Sequence, residues 1–139
     1  MNTTVLDPTK PLDQSLVTYT HVIYALHALA VVIGLTSAAT IVGTFVWSVP
    51  SIIAVVMNYA RRGDVQGTVL ASHFTWQIRT FWYTLLWAVV ITLISTPLIL
   101  LLGLGFLTFV VGFGVLGVWV LYRVLRGWLA LRDSKPMYA

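Results

Sequence analysis

Residues 80–122 read TFWYTLLWAVVITLISTPLILLLGLGFLTFVVGFGVLGVWVLY, 43 positions without a lysine, arginine, aspartate or glutamate. One spanning helix needs about 20 apolar residues. The run is twice that length, and Gly103-Leu104-Gly105 stands at its middle, where a turn fits. It predicts a hairpin: helix three over about Phe74–Leu100, loosened near its end by Pro97, and helix four over about Phe106–Trp128. Residues 17–60 form a second such run of 44 positions. Its small, polar stretch Gly34–Thr40 (GLTSAAT) predicts another turn, between helix one at about Val17–Leu35 and helix two at about Ile41–Tyr59. Pro50 falls inside helix two, where proline removes a backbone hydrogen bond and kinks the helix. A shorter helix two starting at Ser48 is the alternative.

The expected fold is therefore all-α: a polytopic membrane protein with four transmembrane helices in two hairpins, helix two kinked at Pro50. One domain over residues 17–131 follows a polar arm, 1–16, and precedes a tail, 132–139. The composition agrees. Hydrophobic residues make up 59% and charged residues 9% of the 139, against roughly 45–50% and about 25% in soluble domains. Cysteine is absent, which excludes disulfides, thiolate nucleophiles and cysteine-bound metals. The start of the chain is polar, carries Asp7, Lys10 and Asp13, and lacks the apolar run of a signal peptide.

Charge sets the expected orientation. All eight basic residues (Lys10, Arg61, Arg62, Arg79, Arg123, Arg126, Arg132, Lys135) lie outside the two hairpin turns. By the positive-inside rule both termini and the Arg61–Arg79 connector face the cytoplasm, across the inner (plasma) membrane of a bacterium. The net charge of +4 is read as topology and lipid contact rather than nucleic-acid binding. Arg61, Arg62, Arg79, Arg123 and Arg126 are the candidate headgroup contacts. Arg79 has two expected resting places, the headgroups or the ring of Trp76 or Trp82. Thr68–Ile78, with Leu70, Phe74 and Ile78 four apart, reads as an interfacial stretch before helix three descends.

Two sets of residues are candidates for function. The first is a polar layer in the cytoplasmic leaflet: His21, Tyr24, His27, Asn58, His73 and Gln77. Polar groups in lipid find partners between helices, and intramembrane polar residues also mark ligand or proton sites. His21 and His27 are six residues apart, about 240° around the helix, so they face different neighbours. The second is a stripe along helix three: His73, Gln77, Thr80, Thr84, Ala88, Thr92 and Ser95, at steps of three and four. Small and hydroxylated residues let helices come close. Gly105, Thr108 and Gly112 do the same on helix four, for a contact within the chain or with a partner. Gly112-x-Gly114-x-x-Gly117 matches the dinucleotide fingerprint in letters only, since it lies inside an apolar span.

No cofactor, metal site or catalytic set is expected. Only His27 with His73 could pair on a haem. Histidines at i, i+4 for zinc are lacking, and the chain contains no glutamate and no acid within either hairpin. The protein therefore reads as a non-enzyme: an accessory or scaffold subunit that packs against itself or another membrane protein. The alternative is an oligomeric pathway for a small solute or protons, lined by Thr80, Thr84, Thr92 and Ser95.

The block Ser72-His73-Phe74-Thr75-Trp76-Gln77-Ile78-Arg79-Thr80-Phe81-Trp82, together with the early His27, Pro50 and the charged turn after Tyr59, resembles a family of small bacterial membrane proteins of unknown function. Those proteins look like distant relatives of the small multispanning component of the chloroplast inner-envelope protein translocon. The resemblance covers about Thr18 to Trp128. It implies a helical membrane protein, an oligomer or an accessory subunit, and it brings no catalytic residues.

Overall fold

The structure is a computed structural model that describes residues 11–37 and 41–137; the side chains of 37, 41–47 and 102 lie outside the description. Among the described residues the chain is all-helical, with α1 Gln14–Ser37, α2 Ile41–Ala60, α3 Val69–Leu102 and α4 Leu104–Arg132. Gln14–Thr36, Val69–Leu101 and Leu104–Arg132 are long and apolar enough to cross a membrane. α2 has 20 residues, and its part Ser48–Ala60 is likewise apolar. Residues 1–10 of the expected arm and 38–40 of the expected turn lie outside the described residues.

Each boundary has a local cause. α1 begins three residues before Val17 because Asp13 caps it: the Ser15 N–H donates to the Asp13 carboxylate at 2.9 Å, and the Leu16 and Val17 N–H groups reach the Asp13 carbonyl. The same Ser15 N–H, helped by the Ser15 hydroxyl, holds the Asp13 carboxyl below the usual carboxylate range. α2 runs as one helix through Pro50. Between α3 and α4 lies a single residue, Gly103, with φ 68°, a left-handed conformation that glycine adopts without penalty.

α3 starts at Val69, five residues before the expected Phe74. Val69–Ile78, within the stretch read as interfacial, forms the opening turns of this 34-residue helix, with Thr68 as its N-cap residue. Leu70, Phe74 and Ile78 are buried, and the reason is protein cover rather than lipid. Phe74 stacks on Tyr19 of α1, and Met137, from the C-terminal tail, donates its N–H to the Ser72 hydroxyl at 2.9 Å.

α1 packs chiefly on α2 and α3 on α4, and the two hairpins meet mainly where α1 lies against α4. That contact is antiparallel and depends on glycine. A Cβ at Gly127 would stand 2.5 Å from the Tyr24 hydroxyl, and one at Gly117 would stand 2.6 Å from Leu35. On the other side of α4, a Cβ at Gly112 would meet Ile91 at 2.8 Å, and one at Gly105 would run into the backbone of α3. The glycine face read from the sequence is thus occupied within the chain.

The register exposes a difference in length between the hairpins. Leu35, near the end of α1, faces Gly117, yet α4 continues back to Leu104. At about 1.5 Å per residue, the second hairpin reaches roughly 15 Å past the end of α1. The buried core sits in the other half, among residues 16–31, 54–80 and 116–137, with Ser95 and Gly105 buried only between α3 and α4. Around the protruding tip, Leu100 is 82% exposed and Leu101 74%. That much bare aliphatic surface suits lipid, not water.

Gly127→Val should therefore force Tyr24 aside and cost about 1–3 kcal/mol. Gly114, whose Cβ would meet nothing, is the matched control. In thermal denaturation of the purified protein in detergent, Gly127→Val should melt several degrees below Gly114→Val; equal midpoints would refute the close α1–α4 contact.

Candidate functional site: a buried polar layer

Of the residues read from the sequence as a polar layer, some are closed by hydrogen bonds and others are open. The closed part centres on His73, fully buried on the first turns of α3. Its Nε2 lies 2.8 Å from the Lys135 carbonyl oxygen, and its Nδ1 lies 2.8 Å from the Tyr24 hydroxyl. A carbonyl only accepts, so Nε2 carries the proton and, in the neutral ring, Nδ1 accepts from Tyr24. The bonds join α1, α3 and the C-terminal tail. They also terminate on a backbone carbonyl, which has no proton to pass on, so the set clamps rather than relays.

The tail is shaped to reach this clamp. Lys135 N–H returns to the Ala130 carbonyl at 2.8 Å, and Ser134 adopts φ 53° to make the reversal. Met137 is buried. The segment 132–139, read from the sequence as a plain tail, is in its described part folded back onto α3. Nothing in the residue types announces this, because the main acceptor is a backbone carbonyl.

His21 and His27 face different neighbours. His21 Nδ1 accepts from the Trp128 indole N–H at 3.0 Å. His27 is 4% exposed and lines a cavity between the hairpins, and its Nε2 has no hydrogen-bond partner. Asn58, 0% exposed, and Gln77, 1% exposed, have both polar atoms of their side chains unpartnered among the described residues. An unmade buried hydrogen bond costs about 1–3 kcal/mol, so these three residues are the open members of the layer. The haem pairing of His27 with His73 would require breaking the bonds that already occupy both His73 nitrogens. Among the described residues no group of three or more His, Asp or Glu side chains is gathered for a metal.

A second node lies one turn further along α3. Of the two resting places expected for Arg79, the Trp76 ring is taken by Arg123 and, at 5.8 Å, by Arg126. The Arg123 guanidinium sits 3.7 Å from the Trp76 ring centroid, while Arg79 is exposed. Arg123 Nε donates to the Thr80 hydroxyl at 2.8 Å, Thr80 donates to the Trp76 carbonyl at 2.8 Å, and the Trp76 indole N–H donates to the Arg123 carbonyl at 3.0 Å. Position explains the exchange. Trp76 turns inward toward α4, whereas Arg79 lies three residues on and faces out. Arg61, Arg62 and Arg126 are exposed, and Arg61 also lies 5.1 Å over Tyr19. At the same end of the bundle the Trp82 N–H donates to the Tyr59 hydroxyl at 3.0 Å.

Of the helix-three stripe, Thr80, Thr84 and Ala88 border the cavity, Ser95 is buried 3.1 Å from the Thr108 hydroxyl, and Thr92 is exposed. The hydroxyls of Thr80, Thr84 and Thr92 each donate to the carbonyl four residues back, at 2.8, 2.6 and 2.8 Å.

Comparison of the chain with protein-family models, with curated proteins and with solved structures found no match.

His73→Phe should keep the ring volume and leave the Tyr24 hydroxyl and the Lys135 carbonyl without this partner. Limited trypsin digestion at Arg132, followed by mass spectrometry, should then release the tail several-fold faster than in the unsubstituted protein. An unchanged rate would mean that the tail is held elsewhere.

Proposed function

We propose that this protein is a small inner-membrane accessory or scaffold subunit, without enzymatic activity, that works by packing against a second copy or another membrane protein. The observation that carries the reading is the unequal reach of its hairpins. Both termini and the 61–68 connector are placed in the cytoplasm by their arginines and lysines. The hydrocarbon core is about 30 Å thick. With the exposed leucines around Gly103 at its far edge, the end of α1 lies roughly 15 Å short of that edge, near the midplane. Four complete crossings, as the two charge-free runs alone suggest, would instead push the leucine-rich tip of the second hairpin out into water. In the placement favoured here α3 and α4 cross fully. α1 and α2, with α2 bending at Pro50, enter from the cytoplasmic side and turn back within the bilayer.

That placement creates a need for protein cover. Each helix end leaves four backbone groups without an intrahelical partner. At mid-bilayer no water serves them, and such ends persist only where protein shields them. A second copy, or a larger membrane assembly, supplies the shield. The accessory role implied by the resemblance in residues 72–82 points the same way. The hydroxyl bonding along α3 favours packing over a conducting path, because those donors are already bound to their own helix.

Two measurements test this. The chain has no native cysteine, so Ser37→Cys and Leu104→Cys can be labelled singly. A membrane-impermeant maleimide applied from the periplasmic side should modify Leu104→Cys and spare Ser37→Cys; modification of both would restore four full crossings. Native mass spectrometry of protein extracted from its own membranes should show a homo-oligomer or a second protein at fixed stoichiometry. A monomer alone would overturn the scaffold reading.

A further inference from the structure

The open member His27 borders a partly open cavity of about 240 Å³ lined by residues of all four helices. His27, Ser51, Ile52, Thr84, Leu85 and Val120 are among its walls, and no lysine, arginine, aspartate or glutamate lines it. Three features define what it can hold. Its walls are apolar and uncharged, so an ionic guest would lose its hydration without compensation. Its volume exceeds the roughly 150 Å³ that accommodates a benzene ring, which suits a single substituted ring better than a whole lipid. It also has one buried polar atom in want of a partner, His27 Nε2. The threonine donors at the wall are committed to backbone carbonyls. Ile52 and Leu85, both well exposed on the outer surface, flank the cavity between α2 and α3, so entry is from lipid.

We propose that this cavity is a binding site for a neutral, lipid-soluble ring compound whose oxygen hydrogen-bonds to His27 Nε2. A neutral imidazole nitrogen donates to a quinone-type carbonyl in one tautomer and accepts from a phenol-type hydroxyl in the other. Both compounds present the same chemistry, one ring oxygen directed at one nitrogen. The site stands independently of the scaffold reading, since it is built within one chain. Asn58 and Gln77, also unpartnered, are not among its lining residues.

Equilibrium dialysis of the full chain in detergent micelles, against empty micelles, tests it with three probes of nearly equal shape: duroquinone, its hydroquinone, and hexamethylbenzene. At least one of the two oxygenated rings should be retained by the protein about tenfold more tightly than the hydrocarbon, the worth of one buried hydrogen bond. Preference for the quinone would identify Nε2 as donor, and preference for the hydroquinone as acceptor. His27→Leu should erase the difference between oxygenated and hydrocarbon rings. Ala88→Phe, which fills the cavity from the α3 wall, should abolish retention of all three and decides the matter should His27→Leu fail to fold. Equal retention of all three probes by the unsubstituted protein, retention no better than empty micelles, or an oxygen preference that survives in either variant would overturn the proposal.

Discussion

The absence of a side chain at Gly127 governs the lower half of this bundle. It lets the Tyr24 ring lie against α4, and that brings α1 and α4 together. With the ring there, the Tyr24 hydroxyl reaches His73 on α3. His73 then has one nitrogen left, and it takes the carbonyl of Lys135 from the returning tail. One missing methyl thus connects three helices and the C-terminal segment. The energetic logic is that of any apolar medium, where a polar group that has found a partner stabilises and one that has not is costly. The Trp76, Thr80 and Arg123 node repeats the pattern one turn along, with a cation held over an indole and donors and acceptors closed into a ring.

Much of this arrangement is legible in the order of the residues. The two runs free of charge locate the helical hairpins, because apolar length and missing charge are what lipid selects. The Gly103 turn is readable because a left-handed residue between two helices needs glycine. Partnership is not. His21 bonds to Trp128, 107 positions away, and His73 to a backbone carbonyl 62 away. Such pairings depend on how helices cross, which residue spacing along one helix does not encode. Spacing sets Arg79 beside Trp76 for the same reason: it ranks neighbours along the chain above neighbours in space. The early start of α3 is hidden because an amphipathic segment looks alike whether its apolar side meets lipid or the protein's own helices.

The open members of the polar layer form a contrast with the closed ones. His27, Asn58 and Gln77 are as deeply buried as His73, yet they carry unpartnered atoms. Closed groups hold the fold in one arrangement. Open groups leave atoms without a hold, and of the three His27 is among the residues lining the cavity described above.

The unequal hairpins have a consequence for the membrane itself. In the placement proposed above, where the first hairpin ends near the midplane, the protein is four helices wide in the cytoplasmic leaflet and two helices wide in the other. Its cross-section therefore tapers across the bilayer, and it displaces more lipid area from one leaflet than from its opposite. A tapered inclusion is most at ease where the bilayer curves to equalise that area, and many copies held side by side would add their tapers. In this view the shape of the chain is coupled to the shape of the sheet that contains it.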